Sequence, residues 1–352
     1  MRSVFLTLLA ALCLVSCATP KTHPKSAAGS KTLDIYFLDM VGGGSTLIVT
    51  PLRESILIDT GSREPKHRDA ERIYAAAQSA GLKQIDCLIT THFHSDHFGG
   101  ILQLSQMIPI KKFMDKGALA PQEDRDQATD LYPLYQEATK GQVGAIKAGD
   151  DIPLRNDPAG EIPPLRLHCV AAEKKVEGLE GDVDAPVPEY EIRKPDNSDN
   201  ARSIALLLTY GKFTFFAGGD ITWNIEHHLA HPKNIVGKVD LYQVTHHGLD
   251  LSNNRILLQV LRPTVCVAMN GPKKGIQPNT FRALRQIPGV QAIYQIHFNT
   301  QYGKEGNTQP AFIANMQNPD KGELIKVSVD AAAHNYAVSI GVNGPKWIYS
   351  IQ

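Results

Sequence analysis

From residue 33 onward the chain alternates short apolar runs with turn residues. Residues 33–38, 45–50 and 55–59 are rich in Ile, Leu, Tyr and Phe, and Gly42-Gly43-Gly44 and Pro51 separate them, which predicts three strands with tight connections. Residues 68–80 change to helical periodicity and stop at Gly81. Residues 85–90 form a continuous apolar run, the pattern of a strand buried on both faces, and residues 100–108 predict the next helix.

The second half repeats this order. Residues 165–171 read as a strand, and the polar, proline-containing residues 173–200 read as an exposed insertion. Residues 203–210, Gly211-Lys212 and residues 213–217 predict a hairpin with a tight turn. A helix over 222–230 and strands over 241–245, 264–269 and 291–296 follow, and residues 326–329 and 336–342 are placed to close a sheet. The pattern predicts an α/β (α+β) sandwich of mixed sheets with helices outside, as one domain over residues 33–352. A split near residue 180 is the competing division.

The N-terminus is set apart from this body. Arg2 precedes an apolar run over residues 4–15 that is too short to span a bilayer and has the length of a signal-peptide core. It ends in Leu14-Val15-Ser16-Cys17, which resembles a bacterial lipoprotein processing site. Residues 1–16 are therefore expected to be a signal peptide, Cys17 a lipid anchor to the membrane, and residues 17–32 a flexible tether. The expected location is the periplasm or cell envelope, or the exterior if a plain secretory signal is cut instead. No protein partner is expected.

Composition changes little. Hydrophobic residues make up 42% of the chain and charged residues 20%, enough for a sizeable core. Formal net charge is zero, so bulk electrostatics do not draw the protein to nucleic acid or anionic membrane. Cys87, Cys169 and Cys266 lie in apolar strand-like runs and read as buried thiols.

The chemistry begins at His92-Phe93-His94-Ser95-Asp96-His97. In an extended segment, residues two apart point to one side, so His92 and His94 can reach one ion. A turn into the helix after them would carry Asp96 and His97 toward a second. Imidazole and carboxylate suit zinc, with manganese or iron as alternatives. Asp220, in Gly218-Gly219-Asp220, follows the predicted hairpin, and a carboxylate there can bridge two ions. His246-His247-Gly248 follows the next strand; His246 is favoured as the ligand and His247 as a substrate-facing group, with the two exchangeable. His227, His228 and His231 read as solvated helix residues, and His297 as part of a surface loop. Gly42-Gly43-Gly44 is no phosphate loop, because no Lys-Ser/Thr follows it.

Asp59 in Leu57-Ile58-Asp59-Thr60-Gly61, the H-x-H-x-D-H segment, Asp220 and His246 stand in the order of the metallo-β-lactamase superfamily. The resemblance spans residues 33–296. Asn200-Ala201-Arg202-Ser203, Gly219-Asp220 and Thr245-His246-His247-Gly248 look most like the hydrolase domain of ComEC-type competence proteins. It implies an αββα four-layer sandwich and two divalent ions. His92 and His94 would hold the first, Asp96, His97 and His246 the second, and Asp220 both, while Asp59 would orient the His loop. Asp96 would also orient the attacking water. One departure stands out: residues 195–200, where many members carry a third histidine, have none, so Asp199, Asn200 or water must serve.

The function this implies is hydrolysis of an ester, phosphodiester, amide or lactam by water activated between two ions. The partner is then a small-molecule or phosphodiester substrate. A non-catalytic metal-binding protein on the same fold is the alternative from another class.

Overall fold

The computed structural model describes residues 31–117, 119, 130–185, 193–316 and 321–352. The expected signal peptide over residues 1–16, Cys17 and residues 18–30 of the expected tether over 17–32 lie outside the described residues. Among the described residues, no helix is long and apolar enough to cross a membrane.

Strands β1 (Leu33–Phe37), β2 (Thr46–Val49), β3 (Ser55–Ile58), β4 (Cys87–Ile89), β5 (Phe113–Asp115) and β6 (Val143–Ala145) lie side by side in a first sheet. The first three are antiparallel; β3 to β6 are parallel. Their crossovers contain α1 (Arg68–Ser79), α2 (Ser95–Phe98), α3 (Ile101–Ser105) and α4 (Tyr132–Thr139). The second sheet takes β7 (Asp151–Ile152), β8 (Leu165–Ala172), β9 (Lys175–Val176), β10 (Ala205–Tyr210), β11 (Phe213–Ala217), β12 (Leu241–Gln243), β13 (Val265–Ala268), β14 (Ala292–His297) and β15 (Ile313–Asn315). Here β11 to β15 run parallel. Helices α5 (Trp223–Ala230), α6 (Arg255–Leu261) and α7 (Pro278–Gln286) connect them. The chain then returns to the first sheet, where β16 (Ile325–Val329) pairs with β1 and is followed by β17 (Asn335–Ile340) and β18 (Lys346–Ser350).

The two-residue period of a strand explains the layering. In the first sheet Ile35, Ile48, Ile56 and Ile58 point into a central core, while Tyr36, Leu47 and Leu57 point outward beneath Ala70, Ile73 and Ala77 of α1. The second sheet divides likewise: Leu206, Leu208, Phe213, Phe215, Val265 and Val267 face the centre. On its other face Ala205, Phe216, Cys266 and Ala268 meet Ile225, Leu229, Leu258 and Leu284 from the helices. Three apolar interfaces between four layers result, which is the expected αββα sandwich. Both faces of each sheet are covered, so the strands read as continuous apolar runs rather than alternating ones.

Three details differ from the sequence reading. His227 and His228 are buried, not solvated, because α5 lies over the second sheet and His228 Nε2 meets the Val183 carbonyl at 3.0 Å. His297 is also buried, at the end of β14, with Nε2 2.6 Å from Asp39 Oδ1. The insertion over 173–200 is not wholly exposed: Val176 and Val183 join the outer core and Asp199 is buried. Residues 186–192 of it lie outside the described residues. Cys87, Cys169 and Cys266 are buried free thiols, as expected.

Phe215 meets Phe37 edge-on across the central core, with ring centroids 5.7 Å apart. Phe215→Ala is expected to destabilise the fold by about 3–5 kcal/mol, the usual range for a buried aromatic truncated to alanine. Urea denaturation measures it; a loss under about 1 kcal/mol would mean the two sheets are not held together there.

Candidate metal centre

Parallel strands bring their C-terminal ends to one edge of the sandwich, and every candidate side chain leaves the sheets at that edge. Asp59 follows β3, the histidine loop follows β4, Asp220 follows β11, and His246-His247 follow β12. The backbone is left-handed at Asp59 (φ 61°), His246 (φ 55°) and His247 (φ 54°), and at the β-branched neighbours Val41 (φ 52°) and Ile276 (φ 42°). Such conformations cost of order 1–3 kcal/mol each and persist where surrounding structure enforces them.

Hydrogen-bond donors and acceptors determine what each ring presents inward. Thr91 Oγ1 lies 2.8 Å from Asp59 Oδ2 and 3.0 Å from His92 Nδ1. Its single proton goes to the carboxylate, so His92 donates from Nδ1 and keeps the lone pair on Nε2. Ser252 Oγ donates to the Ile221 carbonyl at 2.7 Å and therefore accepts from His246 Nδ1 at 3.1 Å. His247 Nδ1 donates to the Met269 carbonyl (3.1 Å), and His97 Nδ1 to Asp59 Oδ2 (2.7 Å). Four rings thus fix Nδ1 outward and turn Nε2 inward.

Those four Nε2 atoms converge on one oxygen. Asp220 Oδ2 is 3.3 Å from His97, 3.4 Å from His247, 3.5 Å from His246 and 4.0 Å from His92. Asp96 Oδ2 lies 3.7 Å from His97 Nε2 and 3.4 Å from His247 Nε2. The ring of His94 stands 4.7 Å from that of His92, as the extended spacing requires. The Nε2 atoms of His92 and His94 are buried and have no hydrogen-bond partner. Lone pairs facing a carboxylate in a water-poor site repel unless positive charge lies between them.

The protonation energetics show the same demand. Burial disfavours charge on His97, but Asp220, Asp59 and Asp96 outweigh it and raise its pKa well above the ordinary histidine value. Burial and the neighbouring His97 push His92 well below that value. Burial would raise Asp220 and Asp96, yet His97 and His247 hold both well below the usual carboxylate range. Burial raises Asp59, partly offset by His97 and Thr91.

The donors fit divalent metal. His92, His97 and Asp220 form one group of converging ligand atoms, and Asp96, His97 and His247 another. His247 rather than His246 therefore joins Asp96 and His97, while His246 Nε2 lies beside Asp220 and 3.4 Å from Asn200 Nδ2. The structure brings together Asp59, His92, His94, Asp96, His97, Asp220, His246 and His247. The glycines make room for them: a Cβ on Gly44 would lie 2.7 Å from the His97 ring, and one on Gly43 2.5 Å from the Asp96 carbonyl. Sequence reasoning passed over Lys274, whose Nζ meets Asp96 Oδ2 at 2.5 Å from the loop after β13. The only signal for it was the pair of glycines, Gly271 and Gly275, that shape that loop. A cavity of about 600 Å³ between Leu52, Arg53, Lys83 and Arg155 shares no residue with this centre.

Residues 40–179 match the profile described as the Metallo-beta-lactamase superfamily. Over those residues the chain resembles the metallo-β-lactamase superfamily. It is also similar to ComE operon protein 3 of Bacillus subtilis, 26% identical over 68% of this chain and 28% of that protein. It is 33% identical to Recombination protein 2 of Haemophilus influenzae over 23% of this chain and 10% of that protein. The chain thus spans less than a third of the curated relatives it matches. Among solved structures, a metallo-beta-lactamase from Cronobacter sakazakii altered in its HARLDQ motif is 14% identical, covers 59% of this chain and 75% of that one, and has a TM-score of 0.36. A metallo-β-lactamase fold with converging His and Asp groups supports a metal-dependent hydrolase or a related function.

Because three neighbouring carboxylates favour the protonated form of His97, metal binding is expected to release protons and to weaken as pH falls. The raised pKa extends that competition above the ordinary histidine range. Calorimetric zinc titrations in buffers of different ionisation enthalpy measure it. Binding that releases no protons between about pH 6 and 8 would contradict this account.

Proposed function

We propose that the protein is a dinuclear metal-dependent hydrolase of anionic phosphodiesters, and that its ions are zinc, with manganese or iron as alternatives. The observation that carries the metal reading is the convergence of four imidazole Nε2 atoms on Asp220 Oδ2. The bond type follows from the ComEC-type motifs and from Lys274. The Lys274 side chain is 40% exposed where that of Asp96 is 25% and the histidines are nearly buried, so it stands on the open side of the centre. A cation there favours a substrate with a negative oxygen near the scissile bond.

His92, His94 and Asp220 would hold one ion, and Asp96, His97, His247 and Asp220 the other. When bound, the ions supply Lewis-acid polarisation and lower the pKa of water. The protein's own groups do the rest. Asp96, whose pKa is held low, remains a hydrogen-bond acceptor and orients the attacking water. Asp59 holds His97 and, through Thr91, His92 in the tautomer that faces inward. Lys274 donates from Nζ to a substrate oxygen. His246 braces Asp220 and Asn200 from the side.

Purified protein loaded with zinc or manganese is expected to hydrolyse bis(p-nitrophenyl) phosphate. His94→Ala should lower kcat/KM by about 100-fold or more. Lys274→Ala should raise KM for the anionic diester about tenfold, the scale of one charged hydrogen bond, and leave a neutral ester within about twofold. Equal losses on both substrates would remove the anionic-substrate reading. Inactivity on phosphodiesters, lactones and β-lactams alike would remove the hydrolase.

The same proposal places the protein in the cell envelope as a lipoprotein anchored at Cys17. In a bacterial host, incorporation of labelled palmitate should require that cysteine, and Cys17→Ala should release the protein to the soluble fraction. Labelling that persists in Cys17→Ala would refute the anchor.

A further inference from the structure

The segment that in many relatives carries the third histidine has another use here. A single 3₁₀ turn over Asp199–Arg202 leads into β10 and runs beside the histidine loop. It grips that loop on both sides of His92: Ile204 N donates to the Thr91 carbonyl at 3.0 Å, and Phe93 N donates to Asp199 Oδ2 at 2.6 Å. The Asp199 carboxylate is therefore committed to the Phe93 amide and does not reach into the centre as a ligand.

Its other oxygen anchors a chain of alternating charges. Lys116 Nζ lies 3.0 Å from Asp199 Oδ1 and 2.7 Å from Glu173 Oε1, and Glu173 Oε2 lies 2.7 Å from Arg202 NH1. The Lys116 side chain has no exposure and that of Asp199 only 2%. Lys116 also stands 5.1 Å over the Phe93 ring, which packs edge-on against Phe98, Tyr132 and Tyr135. Burying such ions costs several kcal/mol each before their attraction is counted, so well-packed apolar residues would often give equal stability. What the ions add over apolar packing is a directed acceptor at one backbone amide.

We propose that Asp199 is a positioning residue: fixed by Lys116, it holds the Phe93 amide and thereby sets where His92 and His94 present their Nε2 atoms, in place of a third histidine. This rests on the metal-binding reading above. Phe93 lies between the two ligands, so rotation of its peptide would splay the two rings apart. Glu173 and Arg202 extend the brace to the end of β8, so the loop is tied to the second sheet as well as the first.

The test uses cobalt(II) as a spectroscopic probe on the full chain. Asp199→Ala is expected to lower affinity for one of two cobalt ions by about tenfold or more, and to change the visible absorption of the bound ion. Asp199→Asn, which keeps an oxygen acceptor for Phe93 N, should restore both. Should Asp199→Ala fail to fold because Lys116 is left without that partner, two neutral pairs replace it. Lys116→Met with Asp199→Asn should bind and absorb like the parent protein, whereas Lys116→Met with Asp199→Leu should not. A purely structural role would lower thermal stability in both pairs and leave the cobalt spectra alike, which would overturn the proposal. A parent protein that binds no cobalt would overturn the metal-binding reading itself, and this proposal with it.

Discussion

The centre depends on one electrostatic constraint: Asp220 Oδ2 faces four imidazole nitrogens whose outward hydrogen bonds leave their lone pairs turned toward it. Four separate acceptors enforce this, namely Thr91 and Ser252 hydroxyls, the Met269 carbonyl and the Asp59 carboxylate. In a buried site such an array requires positive charge at its middle. The raised pKa of His97 and the depressed pKa values of Asp96 and Asp220 follow from that requirement.

The surrounding fold is arranged to tolerate this. Left-handed residues at Asp59, His246 and His247 aim side chains that an ordinary strand exit would direct elsewhere. Gly43 and Gly44 leave the space that the Asp96 carbonyl and the His97 ring occupy. Further from the centre, Asp39 holds His297 on one side and Arg72 on the other, and so ties β14, the loop after β1, and α1 together. Backbone bonds then link that loop to the centre, through Gly44 N to the Asp96 carbonyl and Gly61 N to the Gly44 carbonyl.

The missing histidine acquires a meaning from this arrangement. Residues 195–200 do not supply a bare gap. They supply Asp199, which grips the backbone between His92 and His94, and Asn200, which lies against His246. Where the resemblance implies a ligand, the structure shows a brace. The brace was invisible in the sequence because Lys116, which holds Asp199, and Glu173, which holds Lys116, lie 83 and 26 residues from Asp199 along the chain.

By itself, the sequence determined the layers and the candidate metal-binding residues. Strand runs, the Gly211-Lys212 hairpin turn and the H-x-H-x-D-H spacing act through local geometry, with periods of two and 3.6 residues that need no distant partner. Only the tertiary structure could set both His246 and His247 beside Asp220, because left-handed backbone at both positions rotates them away from strand alternation. Only it could bury His227, His228 and His297, since burial depends on which sheet face receives a helix or strand end. Lys274 and the Asp199 brace belong to the same class: each acts through a contact between segments from the two sheets that meet at one edge only once the sheets are stacked.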